Sequence, residues 1–230
     1  MFTKFLLFFS TIFLVNLHAA ETDTYDFSWL DPDKEVFVLQ NRKYRKVQKI
    51  HLNVGYGITT SGAFVDATTI QGRFGYFFTE NYGFEVLYAK NSGNENTTAE
   101  SVRFEGRAIP FRRIVDGYMG AMFLWSPFYS KINTFNKIIY MDWIFGFGYA
   151  KLDETNNLDA FIADNKNLSE KKSSHSGVMW DIGAKFYLNE SWSIKLDLTT
   201  VHYQAIKADG SGQDGWFSNY DLTAAFGYNF

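Results

Sequence analysis

Residues 49–59, KIHLNVGYGIT, decide the fold because apolar and polar positions alternate along the whole stretch. The even positions carry large apolar side chains, namely Ile50, Leu52, Val54, Tyr56 and Ile58. The odd positions carry only polar side chains or glycine. Because successive side chains of a β-strand point to opposite faces of a sheet, this period of two predicts a strand with one apolar and one polar face.

The same alternation recurs along the rest of the chain and predicts seven further strands. Together the eight strands are expected at residues 48–60, 66–79, 83–91, 115–128, 137–151, 177–189, 191–205 and 217–230. Each is long enough for the roughly 9–11 residues of a tilted membrane-spanning strand. The segment 115–128 differs from the others because it is apolar on both faces.

The connections between these strands sort by length. Short turns are expected at 80–82 and 189–190, and the long polar connections are 92–114, 152–176 and 206–216. The connection 129–136 is expected to be the longest one on the periplasmic side. Bacterial outer-membrane barrels have an even number of strands, short periplasmic turns and long external loops. The pattern therefore predicts an all-β protein of the cell outer membrane, an eight-stranded antiparallel transmembrane β-barrel.

The aromatic content decides which face of the strands points outward. The chain has 24 Phe and 14 Tyr, yet its mean hydropathy is only −0.20. In a soluble barrel of lipocalin type these rings would point inward, and the interior of an eight-stranded barrel is too narrow for them. We therefore expect the apolar faces to contact lipid, with aromatic girdles near the strand ends formed by Tyr56, Tyr76, Tyr149, Trp192 and Tyr228.

The N-terminal residues have the layout of a secretory signal. Lys4 precedes an apolar run over residues 5–17, which ends before Ala19 and Ala20. This run is too short for the roughly 20 residues of a spanning helix. We expect a cleaved signal peptide at 1–20, a periplasmic extension at 21–46 and the barrel at 47–230. The absence of cysteine excludes disulfides, a thiol nucleophile and a cysteine-based metal site.

The polar faces of the predicted strands carry nearly balanced charges. The residues expected to point into the lumen are Lys49, Arg73, Glu85, Asp142, Asp181, Lys185, Lys195, Asp197 and Asp221. Because side chains can fill the interior of an eight-stranded barrel, this balance favours a hydrogen-bonded plug. The alternative is a gated or narrow solute path through the same charges.

Two further segments suggest contacts outside the lumen. A basic cluster just before the first strand could bind lipid phosphates or could be a solvated flank; it consists of Arg42, Lys43, Arg45 and Lys46. At the C-terminus, Phe226, Tyr228 and Phe230 alternate in the manner of the signal that hands outer-membrane barrels to the barrel-insertion machinery. The formal charge of −3 gives no basic footprint for nucleic acid.

No constellation for catalysis is expected. A lipid-modifying barrel needs a Ser or His near the outer rim that a carboxylate positions. His202 falls with Leu196 and Leu198 on the lipid-facing side, and no Ser and acid are expected beside it. His51 points inward in the periplasmic half. We therefore predict no catalytic, cofactor-binding or metal-binding residues and no enzymatic activity.

Three short segments give the chain a family resemblance. They carry Gln40, Asn41, Arg42, Tyr44 and Arg45; Trp125, Ser126, Pro127, Tyr129 and Lys131; and Asp142 with Gly146 and Gly148. In their order and spacing, these residues resemble the deltaproteobacterial-type outer-membrane β-barrel family of predatory and myxobacterial relatives. The chain departs from that pattern at Ser130, where a Gly is expected, and at Tyr140, where a His is expected.

The resemblance implies a porin-like homo-oligomer, and for some relatives a ring of barrels that encloses outer-membrane lipid. We therefore expect a non-enzymatic, structural or porin-like envelope protein. A surface adhesion protein that acts through loops 92–114 and 152–176 is the main alternative, and a lipid-modifying enzyme is the third.

Overall fold

The computed structural model describes residues 42–60, 62, 64–105, 109–134, 137–163 and 170–230. The predicted signal peptide and the predicted extension up to residue 41 lie outside these residues, so both remain predictions. Residues Tyr44–Phe230 form one compact unit, which contains all the described strands.

Eight antiparallel strands form a closed ring in which each strand pairs with the next and the last pairs with the first. They are β1 (Lys49–Thr60), β2 (Val65–Phe77), β3 (Tyr82–Glu95), β4 (Arg113–Thr134), β5 (Lys137–Asn156), β6 (Lys171–Tyr187), β7 (Trp192–Ile206) and β8 (Asp214–Asn229). Helices α1 (Thr97–Phe104) and α2 (Leu158–Ile162) lie in the β3–β4 and β5–β6 connections. None of the described helices is long and apolar enough to cross a membrane. The predicted all-β, eight-stranded fold is confirmed.

The outside of the ring is apolar and the inside is polar along most of its strands. On β1, Val54 and Tyr56 are each 60% exposed, whereas His51 and Asn53 are buried. The same alternation continues onto both neighbours, because Val54 pairs with Gly72 on β2 and with Phe226 on β8. The apolar set therefore faces outward, which contradicts the soluble alternative with its rings inside.

Part of the interior is apolar as well, and this explains why the segment 115–128 is apolar on both faces. Val115, Met122 and Leu124 of β4 are buried inside the ring at 2% exposure or less. They belong to one buried cluster with inward side chains of five other strands, among them Leu87, Ile144, Leu152, Met179 and Val201. The lumen thus contains an apolar layer in addition to the predicted charges.

The β4–β5 hairpin is longer on the periplasmic side than predicted. The expected connection 129–136 is wrong, because the two strands pair as far as Thr134 and Lys137. A bulge between Trp125 and Phe128 shifts the register. It places one extra residue on β4 and so interrupts the period of two on which the prediction depended.

The predicted long loops 92–114 and 152–176 are largely strand or helix. Asn157 fixes the approach to β4, because its side chain accepts a hydrogen bond from the Arg112 amide at 2.8 Å and donates one to the Pro110 carbonyl at 2.9 Å. The strand ends in these segments escaped prediction because they carry polar residues on both faces, for example Ser174 and His175.

Candidate functional site

Arg73 is the residue around which the polar contacts of the lumen are arranged. It follows Gln71 at a spacing of two on β2, so both side chains point inward, and Arg73 is only 1% exposed. Its guanidinium donates to Glu85 and to Asp181 at 3.1 Å each and to the Thr199 hydroxyl at 2.6 Å. A buried charge is tolerated only when it is paired and hydrogen-bonded in this way.

Polar contacts cross the lumen along three different diameters. In a ring of eight strands, strands four places apart face each other. Arg73 of β2 reaches Asp181 of β6. The ammonium group of Lys195 on β7 lies 3.8 Å from the Glu85 carboxylate on β3. The Tyr118 hydroxyl of β4 donates to Asp221 of β8 at 2.6 Å. These contacts occupy the space through which a solute would have to pass.

A second polar cluster lies at the periplasmic end. The Lys46 ammonium group is 2.9 Å from the Asp142 carboxylate and donates to the Ser126 hydroxyl at 2.6 Å. The Tyr187 hydroxyl donates to the same carboxylate at 2.6 Å, and the Tyr44 ring stacks on Tyr187 with centroids 5.1 Å apart. This cluster fills the mouth of the barrel where the chain leads into β1.

A third cluster, which the sequence did not suggest, lies at the external end. Arg113 is 4% exposed, and its Nε is 3.0 Å from the Glu154 carboxylate. Its guanidinium lies 3.9 Å from the centre of the Phe217 ring, a cation–π distance. Arg112 beside it forms ion pairs with Glu95 at 2.7 Å and with Glu170. The alternation along the rest of β4 does not predict that Arg113 points inward, because a second bulge between Val115 and Gly117 changes the phase of the strand.

The structure brings together eight of the nine residues predicted for the lumen. Each of the eight is at most 1% exposed, and they are Arg73, Glu85, Asp142, Asp181, Lys185, Lys195, Asp197 and Asp221. Lys49 is the exception, since it is half-buried at the start of β1 and makes no ion pair with any described residue. Asp221 is held by hydrogen bonds from Gln71, Tyr118 and Asn219, and no described residue forms an ion pair with it.

The predicted lipid-contacting cluster needs one correction. Lys46 is 3% exposed and is bound to Asp142 inside the barrel mouth, so it does not contact lipid. Lys46 precedes β1, so no strand alternation indicates the direction of its side chain. Lys43 and Arg45 are exposed and Arg42 is half-buried, and for these three a lipid contact stays a prediction.

The C-terminal aromatic residues lie on the outward face of β8. Phe226 is 52% and Phe230 is 66% exposed. Trp192 contacts the rings of Phe226 and Tyr228 with centroid distances of 4.9 and 4.7 Å. They form one aromatic patch at the periplasmic end of the β7–β8 pair, and their predicted role as an insertion signal remains a prediction.

The two predicted orientations of histidine agree with the structure, but the expectation that no Ser lies beside His202 is wrong. His51 points inward and is 2.8 Å from Glu85. His202 points outward, and Ser218 lies beside it with 2.6 Å between Nδ1 and Oγ. The two residues are register partners on β7 and β8, which a search along the sequence does not show. Among the described residues, no three His, Cys, Asp or Glu side chains are placed to hold a metal ion.

A family model described as "Outer membrane protein beta-barrel domain" matches residues 39–230. The chain belongs to this family. As an outer membrane beta-barrel protein it is located in the cell outer membrane, and its apolar exterior faces lipid. The deltaproteobacterial-type resemblance is a finer assignment than the family match gives.

Other comparisons add similar structures but no close relative. The N-terminal β-barrel domain of Pseudomonas aeruginosa OprF is 14% identical, with 80% of this chain and 98% of that chain covered and a TM-score of 0.48. For Neisserial surface protein A the identity is 10%, the coverage 79% and 96%, and the TM-score 0.49. Yersinia pestis Ail, the attachment invasion locus protein, is 12% identical over 80% and 99%, with a TM-score of 0.40. No curated protein matches the chain.

Proposed function

We propose that this outer membrane beta-barrel protein is a non-enzymatic structural component of the envelope whose own lumen is closed. The observation that carries the proposal is the set of polar contacts across three diameters of the ring. Removing one partner of a buried ion pair costs about 3–5 kcal/mol. An ion or solute that passes along the axis would have to separate several such contacts at once.

The proposal includes assembly of the chain into a homo-oligomer, of the kind that the deltaproteobacterial-type resemblance implies, with outer-membrane lipid as a partner. Several residues that carry the resemblance lie close together in space, and this supports the resemblance on which the proposed assembly depends. Ser126 and Asp142 share the Lys46 ammonium group. Tyr44 and Tyr129 both pack against Tyr140, with centroids 5.3 and 6.1 Å away. The insertion machinery is proposed as a partner for the aromatic patch on β8.

Native mass spectrometry of the detergent-purified protein, paired with single-channel recording in a planar bilayer, tests the proposal. We expect a defined oligomer that retains phospholipid and passes little current. A monomer without current would refute the assembly and leave the closed lumen intact. Steady conductance from a monomer would mean that the lumen is a pore.

Surface recognition is the second candidate, and exposed apolar side chains on the external helices and at the external end of β8 favour it. Phe104 at the end of α1 is 79% exposed, Ile162 at the end of α2 is 55% exposed and Trp216 on β8 is 68% exposed. Isolated exposed apolar residues are common, but large aromatic ones are frequent anchors of protein contacts. Loss of cell attachment after deletion of residues 97–104 would support this function.

A further inference from the structure

Three side chains form a chain of hydrogen bonds on the outward surface, in the middle of β6 and in the external halves of β7 and β8. The Trp180 indole N–H donates to His202 Nε2 at 2.8 Å, and His202 Nδ1 lies 2.6 Å from Ser218 Oγ. We call Trp180, His202 and Ser218 the outer relay. All three are half-buried and point away from the lumen.

The direction of these hydrogen bonds follows from the chemistry of the groups. An indole nitrogen can only donate, so His202 Nε2 is the acceptor. The proton of the neutral imidazole is then on Nδ1 and is donated to Ser218 Oγ. In this tautomer His202 cannot accept the Ser218 proton, so the pair is not a nucleophile and its base.

Ser218 therefore keeps its own O–H proton for another acceptor. No described residue accepts it. Since a donor without an acceptor is costly away from water, the relay points to an acceptor that comes from outside the chain.

The position of the relay indicates which acceptor this is. Towards the membrane centre, the outward side chains beyond Thr200 on β7 and Tyr220 on β8 are apolar, with Leu198 and Leu222. Towards the outside they are mixed, because Val178 on β6 is apolar, Trp216 on β8 is an aromatic residue of the kind that is enriched at membrane interfaces, and Gln204 on β7 is polar. The relay thus lies where lipid acyl chains join their headgroups. No outward-facing cation lies beside it on β6–β8 between residues 178 and 182, 200 and 204, or 216 and 220, so a neutral carbonyl suits this site better than a phosphate.

We propose that the outer relay binds an acyl-linkage carbonyl oxygen of an outer-leaflet lipid through the Ser218 hydroxyl. The Trp180 and His202 rings, which are stacked at 6.3 Å, and the Tyr220 ring form the walls of the site. The site belongs to a single barrel and does not depend on the proposed oligomer.

The test uses two phosphatidylglycerols with the same oleyl chains, one with ester linkages and one with ether linkages that lack the carbonyl. Native mass spectrometry of the full chain in detergent measures the binding of each lipid. We expect the ester lipid to bind about three- to ten-fold more tightly, the range for one hydrogen bond. The Ser218→Ala variant should bind both lipids equally.

Ser176→Ala is the matched control, because Ser176 is an exposed outward hydroxyl on β6 that lies outside the relay. It should keep the preference for the ester lipid. Equal binding of both lipids to the unaltered protein would overturn the proposal, and so would an ester preference that persists in Ser218→Ala. Equal but tight binding would identify the phosphate as the group that is recognised. The comparison in the unaltered protein is decisive even if a variant fails to fold.

Discussion

At the scale of the single residue, Arg73 shows how the barrel holds charge in its interior. Its guanidinium contacts carboxylates on β3 and β6 and a hydroxyl on β7. Asp197 lies 3.7 Å from the same group. The acceptors thus surround one cation, which they share with Lys195, 2.7 Å from Asp197.

Substitution of Arg73 by Met should lower the free energy of unfolding by about 3–5 kcal/mol, because it leaves Glu85 and Asp181 buried with less compensation. Urea unfolding in lipid vesicles, followed by tryptophan fluorescence, measures the change. Lys49→Met is the control: Lys49 is also on the inward side but makes no described ion pair, so we expect a change below about 1 kcal/mol. Equal losses in the two variants would contradict the central role of Arg73.

The direction of a side chain was predictable from the sequence, but its partners were not. Alternation along β2 places Arg73 inward, whereas its contact with Asp181, 108 residues away, depends on how the strands are staggered around the ring. Lys46 escaped prediction because it lies before the first strand. Ser218 was missed beside His202 because only the register of β7 and β8 brings them together.

At the scale of the element, the glycines of β5 allow close packing against β4. A Cβ added to Gly148 would collide with the carbonyl oxygen of Ala121 and the Cα of Met122, both of which are backbone atoms held in the ladder. Gly72 on β2 is different, since an added Cβ would meet nothing within 4 Å.

Gly148→Ala should therefore lower the free energy of unfolding by about 1–3 kcal/mol, the usual cost of overpacking. Gly72→Ala should have little effect or a slightly stabilising one, because glycine weakens a strand and its outward side is open. The same urea titration compares both variants. A neutral Gly148→Ala variant would show that β4 and β5 can move apart without loss.

The sequence predicted best the strand segments in which one face is apolar and the other polar. The first strand was predicted at 48–60 and lies at Lys49–Thr60, because one face meets lipid and the other the lumen along its whole length. The errors are on β4, where two bulges change the phase, and on the external ends of β5 and β6, where both faces are polar.

At the scale of the whole molecule, the proposed closure of the lumen depends on all three diameters. Loss of one crossing leaves two others in place. The apolar layer around Met122, Leu152 and Met179 adds a barrier that the charges do not provide. A single substitution should therefore leave the barrel closed to ions.

A combined Arg73→Ser, Tyr118→Ser and Lys195→Ser variant removes one member of each crossing, and we expect it to pass a measurable steady current in a planar bilayer. Water that enters the lumen would solvate the remaining carboxylates, which favours cations. The three single variants should pass about the same current as the unaltered protein. To verify folding, each variant is kept in detergent without heating, where a folded barrel resists denaturation. A triple variant that folds and stays silent would place the barrier in the apolar layer.

The diametric contacts also set an order of events during biogenesis. Arg73 lies on the second strand and its partner Glu85 on the third, while its other partners Asp181 and Thr199 lie on the sixth and seventh. Until β6 and β7 join the sheet, the guanidinium group lacks these partners and is hydrated instead, so the inner face of an unfinished sheet is charged and hydrated. We therefore expect the interior to lose its water only when the late strands join the sheet, so that an incomplete barrel has a higher free energy than the closed one.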